Sequence, residues 1–301
     1  MNERIEREEA PVGYTWGVAE GDRYLRNPEG ELKRVSDDAF RLVEALGEGS
    51  MTKDDLDGGA LRLVEGLEDE EYLRPDAPVV RFVPPDDIPI LPQVLAFVVL
   101  FGFGIYAAVL EQPELRPTLG LQTTGQMLAL GGLVVLSIAI HELGHYVAGR
   151  SHLDPSVRIG RVNGVVPAVI TDTTGAWLLP RNRRLWISLA GPLAELGWMV
   201  VVLAAHYLLF PESLVLGSLV VVIVSHIFFS VNPLIHGDGY WLLLDAFGIV
   251  DLRNRGIENL KRYEPTPAAA YVLLSYGFGA FIAVASVLSL AQSAGLLDVP
   301  W

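Results

Sequence analysis

The chain contains no cysteine and very little lysine. The first absence excludes disulfide bonds, thiol catalysis and cysteine-ligated metal, so histidine and carboxylate side chains remain as candidate metal ligands. Only Lys33, Lys53 and Lys261 occur beside 19 arginines, and the formal net charge is −14. A chain this acidic is not expected to bind nucleic acid. The same balance of residues predicts a halophilic source, with an ordinary acidic cytoplasmic domain as the alternative.

Charge and hydropathy divide the chain into two unlike parts. Residues 1–87 carry 23 acidic and 11 basic side chains, whereas residues 88–301 carry 13 and 11 and contain nearly all the long apolar runs. We therefore expect a small acidic cytoplasmic domain (1–87) followed by a membrane domain (88–301). No cleavable signal peptide is expected, because the first apolar run begins only at Ile88.

Five apolar segments are long enough to cross a hydrocarbon layer of about 30 Å. They cover residues 89–110, 124–149, 185–210, 214–235 and 268–293. The stretches 150–184 and 249–267 hold six and four basic residues, whereas the other connections hold one or none. The positive-inside rule then places these two stretches and the N-terminus in the cytoplasm. The sequence predicts a polytopic α-helical protein with about five transmembrane helices.

A candidate metal-binding motif lies inside the second apolar segment. Residues 141–145 read His-Glu-Leu-Gly-His, and residues four apart share one face of a helix, so His141 and His145 can bind one zinc ion. Glu142 is then the candidate general base. The alternative is a chance match, but ionisable groups inside a membrane helix are costly and seldom kept without a role. Arg150 ends this helix on the cytoplasmic side, so the site is expected to open there.

A catalytic zinc ion normally has three protein ligands, which requires one from elsewhere in the chain. Asp238 is the best candidate, with His236 as its competitor. Pro233, Gly237 and Gly239 surround these residues, so the fourth apolar helix is expected to break here. Broken helices at membrane depth commonly line functional cavities. The alternative is a plain turn at the end of the helix.

Several motifs together resemble the site-2 protease family of intramembrane zinc metalloproteases, and within it the putative peptide zinc metalloproteases. The matching residues are His141 to His145, Ala190-Gly191-Pro192, Asn232-Pro233 and Asp238-Gly239-Tyr240, with a similar loop from Thr171 to Arg184. This resemblance implies that His141, His145 and Asp238 bind one zinc ion per chain. It also implies that Glu142 activates the attacking water.

One position departs from the family pattern. Three residues after Pro192 the family usually has asparagine, and here the residue is Glu195. We expect Glu195 to be protonated or paired with a polar group, either lining the active-site cavity in the asparagine's role or making a structural hydrogen bond. Asn232 and Asp172 are further candidates for lining the cavity or contacting substrate. Three other histidines are interpreted as structural, interfacial or loop residues: His206, His226 and His152.

Two regions outside the apolar helices suggest peptide binding. Asn163-Gly164 between β-branched runs predicts a β-hairpin, whose edge would either hold an extended substrate or only cap the site. The N-terminal domain has a predicted hairpin around residues 27–30, then a helix that Ser36 caps and Gly47 ends. It resembles winged domains that bind leader peptides, with a dimerisation or stabilising module as the alternative.

The sequence favours a membrane-embedded zinc metallopeptidase whose substrate is a membrane-associated protein or peptide. The alternative is a non-catalytic membrane peptide-binding or immunity protein with a structural metal site. Glu142 favours the enzyme, because a structural zinc helix does not require a carboxylate next to its first ligand. A transporter is disfavoured, since no repeated halves with paired broken helices are seen.

Overall fold

The computed structural model describes residues 2–19, 21–115, 123–153, 155–162, 166–172, 175–249 and 251–293. Contacts divide the chain into two compact units. One contains Met1–Val94, Glu142–Ile159 and Val169–Ile187, and the other contains Leu95–His141, Gly160–Ala168 and Ser188–Trp301. The N-terminal domain therefore groups with residues 142–159, which include the end of the helix that carries the His141–His145 motif, and with residues 169–187.

Among its described residues, the N-terminal domain combines a small sheet with two α-helices. Its elements are β1 (Asn2–Arg7), β2 (Val12–Gly13), β3 (Thr15–Ala19), β4 (Asp22–Arg26), β5 (Leu32–Val35), α1 (Asp37–Glu48), α2 (Gly58–Asp69), β6 (Arg74–Pro75) and β7 (Val79–Val83). The main sheet has the order β1-β7-β3-β4-β5, and β2 pairs with β6 separately. The predicted hairpin is the β4–β5 pair, in which Arg23 lies opposite Val35.

Helix α1 shows why this part of the chain folds as it does. The Ser36 hydroxyl accepts a hydrogen bond from the Ala39 backbone nitrogen (3.2 Å), which caps the helix as predicted. Phe40 lies on its buried face within the domain core. The prediction that Gly47 ends the helix is wrong, because Gly49 does so in the left-handed region (φ 69°). Gly47 is needed inside the helix, where a Cβ would lie 2.7 Å from Tyr14.

Seven further α-helices follow among the residues that the structure describes. They are α3 (Leu91–Leu115), α4 (Thr124–Gly149), α5 (Arg181–Leu209), α6 (Leu214–Ser230), α7 (Asp238–Phe247), α8 (Leu252–Lys261) and α9 (Pro267–Ser293). Four helices within the described residues are long and apolar enough to span a membrane, namely Leu91–Glu111, Thr124–Gly149, Arg181–Leu209 and Pro267–Ser289. They support a polytopic helical membrane fold. Helix α6 is shorter, at 17 residues or about 26 Å.

The helical structure is interrupted between α6 and α7, as the sequence predicts. Helix α6 ends at Ser230 and α7 begins at Asp238. The intervening backbone is held by α9, because the Tyr271 hydroxyl donates to the Pro233 carbonyl and the Ser275 hydroxyl donates to the Leu234 carbonyl, both at 2.6 Å. These bonds satisfy polar groups that a membrane interior would otherwise leave without partners.

Between α4 and α5 lies a two-stranded sheet of β8 (Ser156–Val162) and β9 (Val166–Asp172). Its predicted turn, Asn163-Gly164, lies outside the described residues. Farther on, Leu178 is fully buried against Phe82 of the N-terminal domain. Arg183 donates to the ring of His152 (2.6 Å), and burial together with this guanidinium lowers the pKa of His152.

Candidate metal centre

Three side chains form a group with suitable ligand atoms. His141 and His145 lie on successive turns of α4, and Asp238 is the first residue of α7. Each offers one nitrogen or oxygen atom, and these atoms all lie within 4.8 Å of one another. Both histidines are buried, and the Asp238 side chain is 20% exposed. The helical spacing and the helix break together therefore assemble a candidate cation site.

Hydrogen bonds orient both imidazole rings. The Nδ1 of His145 lies 2.7 Å from the Ile187 carbonyl oxygen, which can only accept, so Nδ1 donates. The Nδ1 of His141 lies 2.9 Å from Glu195 Oε2 and donates to that carboxylate. In a neutral ring the other nitrogen then carries the lone pair. In each neutral ring Nε2 is therefore the atom that would bind a metal ion, and an acceptor lies behind each ring, as is usual in metal sites.

The donor set fits a zinc ion. Two imidazoles and a carboxylate make up the three protein ligands of many catalytic zinc sites, and ligand atoms on a tetrahedral zinc lie about 3.3 Å apart. The separation between His141 Nε2 and Asp238 Oδ2 is 3.0 Å. Because both atoms are acceptors when the ring is neutral, a proton or a cation has to lie between them. The group thus has the size and the electrostatics of a cation site.

The helix break fixes Asp238. Ser230, the last residue of α6, donates its hydroxyl to Asp238 Oδ2, which ties together the two ends of the break. Asn232 shapes the turn, since its Oδ1 accepts from the Leu234 backbone nitrogen (2.9 Å). Its contact with substrate stays a prediction. Of the two candidate third ligands, Asp238 belongs to a ligand group among the described residues and His236 does not. The centroid of the His236 ring lies 4.6 Å from that of the Tyr240 ring, with the two rings tilted by 45°.

Glu142 is held by strand β9. Its Oε2 accepts from the Thr171 backbone nitrogen at 2.8 Å and from the Thr171 hydroxyl at 2.7 Å. Two donors of Thr171 therefore hold the carboxylate of the candidate general base, which follows the first ligand, His141, directly in the sequence. The neighbouring side chain of Asp172 lies outside the described residues. Thr171 carries no functional prediction of its own in the sequence, although it opens the loop that resembles the family.

Glu195 lies in α5 and is 1% exposed. Its carboxylate accepts from the Ser137 hydroxyl at 2.8 Å, from His141 Nδ1 at 2.9 Å and from His226 Nδ1 at 2.9 and 3.0 Å. The expectation that Glu195 is paired with a polar group is confirmed. His141, Glu195 and His226 also form a second group with ligand atoms within 4.8 Å of one another.

His226, which the sequence predicts to be structural or interfacial, has a partner that its spacing along one helix does not reveal. Its partner, Glu195, lies 31 residues away on another helix. Spacing along one helix cannot reveal such a contact, because it depends on how α5 and α6 pack. A histidine in the middle of an apolar helix was the available signal, since polar groups at this depth usually face a partner. The Ser137 contact was missed for the same reason.

A second buried cluster lies in the unit that contains Leu95–His141 and Ser188–Trp301. His206 Nε2 is 3.3 Å from Glu111 Oε2, and Tyr207 donates its hydroxyl to Glu111. The carboxylate sits where Gly217 leaves space, since a Cβ on that glycine would lie 2.9 Å from Glu111 Oε2. His206 thus has a structural partner, in line with its interpretation.

Comparison with known proteins adds no assignment, because no family model, curated protein or solved structure matches this chain.

Proposed function

We propose that this protein is a membrane-embedded zinc metallopeptidase of the site-2 protease type, which hydrolyses peptide bonds in a membrane-associated protein or peptide. The observation that carries the proposal is the ligand group His141, His145 and Asp238, with its atoms within 4.8 Å of one another. Glu142 follows the first ligand directly in the sequence. Metal ligands and an adjacent carboxylate are the parts that metal-assisted hydrolysis needs.

The chain's own residues supply binding and proton transfer. When bound, a zinc ion would polarise the scissile carbonyl and lower the pKa of a coordinated water. Glu142 takes the proton of the attacking water and delivers it to the leaving amine. Thr171 holds one oxygen of Glu142 in place during this exchange. The backbone of Ile187 and the carboxylate of Glu195 accept from the Nδ1 atoms of the two imidazoles, so that Nε2 of each ring would hold the ion.

The proposal includes an orientation in the membrane. The N-terminal domain and the stretches 150–184 and 249–267 face the cytoplasm, in line with their basic residues. Helix α6 crosses as a fifth, short span. His145 and His141 then lie roughly 7 and 13 Å below Arg150 along the helix axis, so substrate enters from the cytoplasmic side. The β8–β9 sheet offers an edge for an extended peptide, and the N-terminal domain recruits the substrate.

A single substitution tests the chemistry. Glu142→Gln keeps the size of the side chain but cannot accept the proton, so hydrolysis should fall by about 10² to 10⁴-fold. The assay uses full-length protein in detergent with a library of short peptides, and cleavage is read by mass spectrometry. Bound zinc should remain unchanged. The matched control is Glu258→Gln on α8, whose carboxylate is 65% exposed, and this variant should cleave like the wild type.

Two results would count against the proposal. Undiminished cleavage by Glu142→Gln would exclude the assigned mechanism. A wild-type protein that binds zinc but cleaves neither the peptide library nor co-expressed membrane proteins would instead favour the non-catalytic peptide-binding alternative.

A further inference from the structure

The carboxylate of Glu195 is the most enclosed charged group around the ligand cluster. It is 1% exposed and lies in α5, a helix long and apolar enough to span a membrane. An ionisable group at such depth is costly unless it is partnered. Hydrogen bonds from Ser137, His141 and His226 converge on its two oxygens. Three donors from two other helices therefore hold one carboxylate in a fixed position.

The contact with His141 decides which ring nitrogen faces Asp238. A carboxylate accepts hydrogen bonds, so the proton of a neutral His141 ring resides on Nδ1, which lies 2.9 Å from Glu195 Oε2. The lone pair then sits on Nε2, 3.0 Å from Asp238 Oδ2. Without the carboxylate, the ring would be free to rotate or to adopt the other tautomer.

We propose that Glu195 is a positioning residue for zinc binding, which fixes the tautomer and the rotation of His141, and that His226 holds the Glu195 carboxylate in place for this task. The inference rests on the proposed function, because it assumes that zinc is the ion bound by His141, His145 and Asp238. A partner behind a metal-binding histidine typically raises metal affinity by about 10 to 100-fold.

The same three residues, His141, Glu195 and His226, are the second group with ligand spacing. A metal ion there would need the Nδ1 lone pair of His141, whereas the first group needs the Nε2 lone pair. A neutral imidazole has only one lone pair for a ligand. The two groups thus compete for His141. The short contacts between Glu195 and the two Nδ1 atoms match hydrogen bonds from N–H donors, which favours the first group as the metal site.

The identity of the residue at position 195 is informative. The family that the sequence resembles usually has asparagine at this position. An asparagine side chain is one methylene shorter, and its amide carries a donor as well as an acceptor. Asparagine has only one side-chain oxygen, so it cannot replace the two carboxylate oxygens that accept hydrogen bonds from His141 and His226. Glu195→Asn therefore separates a positioning carboxylate from a residue that only contacts substrate.

The experiment measures equilibrium zinc affinity by competition with a chromophoric chelator, using the full-length protein in detergent. The variants are Glu195→Gln, Glu195→Asn and His226→Ala, with the exposed Glu258→Gln as control. We expect both Glu195 variants to bind zinc about 10 to 100-fold more weakly, His226→Ala to show a smaller loss, and the control to match the wild type. The visible spectrum of the cobalt-substituted protein should change in the Glu195 variants, while thermal unfolding without metal stays similar.

The outcomes separate this inference from the proposed function. Unchanged zinc affinity and cobalt spectrum in the Glu195 variants would overturn the inference and leave the peptidase proposal standing. A wild-type protein without zinc would overturn both. Two zinc ions per wild-type chain, one of them lost in His226→Ala, would overturn the positioning role in favour of a second metal site. If a Glu195 variant does not fold, His226→Ala decides alone, since unchanged affinity and spectrum there would contradict the proposal.

Discussion

At the scale of single residues, different acceptors orient the two imidazoles of the ligand group. The carbonyl behind His145 belongs to the backbone of α5 and moves only with that helix. The carboxylate behind His141 depends on its own hydrogen bonds to Ser137 and His226. A side-chain substitution can therefore remove the acceptor behind His141 but not the acceptor behind His145. We expect mutations around the site to disturb the orientation of His141 more than that of His145.

The contact between Thr171 and Glu142 makes a prediction for turnover. Thr171→Val removes the hydroxyl but keeps the backbone nitrogen, so Glu142 loses one of its two donors. Hydrogen bonds to charged groups are worth about 1.5 to 3 kcal/mol, and we expect kcat/KM to fall about tenfold or more. Peptide cleavage and zinc content are measured together. Reduced cleavage with full zinc supports the positioning of Glu142 by strand β9, and unchanged cleavage would exclude it.

Tyr14 makes a prediction for the pH dependence of stability. Burial in the N-terminal domain raises the pKa of Tyr14 from 10.0 to about 12. Between these values the unfolded chain loses the phenolic proton and the folded domain keeps it. Stability is therefore fully present below pH 10 and falls as the pH rises toward 12, by up to about 1.4 kcal/mol per pH unit.

The check is hydrogen exchange of peptides from residues 2–83 in the full-length protein, measured from pH 9 to 12. Tyr14→Phe keeps the ring against Phe40 and should remove the fall in stability that the Tyr14 hydroxyl causes between pH 10 and 12. If stability falls equally with pH in the wild type and in the variant, Tyr14 is not the cause of the fall.

At the scale of elements, the break between α6 and α7 positions the third ligand. A Cβ on Gly239 would lie 2.2 Å from the Val231 carbonyl oxygen, so Gly239→Ala has to move the start of α7, and Asp238 with it. We expect zinc affinity to fall at least tenfold although no ligand is changed. Gly277→Ala in α9 is the control, because nothing lies within 4 Å of its added methyl group.

Zinc affinity at the wild-type level in Gly239→Ala would mean that the backbone at residue 239 does not set the place of Asp238. An equal loss of zinc affinity in Gly277→Ala would show that any added methyl group in these helices weakens zinc binding.

The elements also show which features could be predicted from the sequence. The pairing of His141 with His145, the cap at Ser36 and the break after Ser230 follow from local rules of helix geometry. The contact between Glu195 and His226 depends on packing between helices, which local patterns do not encode. Gly47 resembles a helix-ending glycine in the sequence, yet it is required by the close approach of Tyr14. The apolar segment 214–235 reads as one span, but its helix stops at Ser230.

At the scale of the whole molecule, the absence of cysteine allows a direct test of the proposed orientation. Glu212→Cys and Tyr263→Cys each place a single thiol at an exposed position, and Tyr263 is 94% exposed. A membrane-impermeant maleimide should label Glu212→Cys in intact cells and Tyr263→Cys only after permeabilisation. The reverse pattern would invert the orientation, and labelling of both in intact cells would exclude the proposed number of crossings between them.

The zinc content of the purified full-length protein tests the central claim most directly. We expect about one zinc ion per wild-type chain, and a large loss in His145→Ala and Asp238→Ala, because two protein ligands hold zinc poorly. Asp38→Ala, which changes a carboxylate that is 94% exposed on α1, should match the wild type. A wild-type protein without zinc, or full zinc occupancy in Asp238→Ala, would contradict the assigned site.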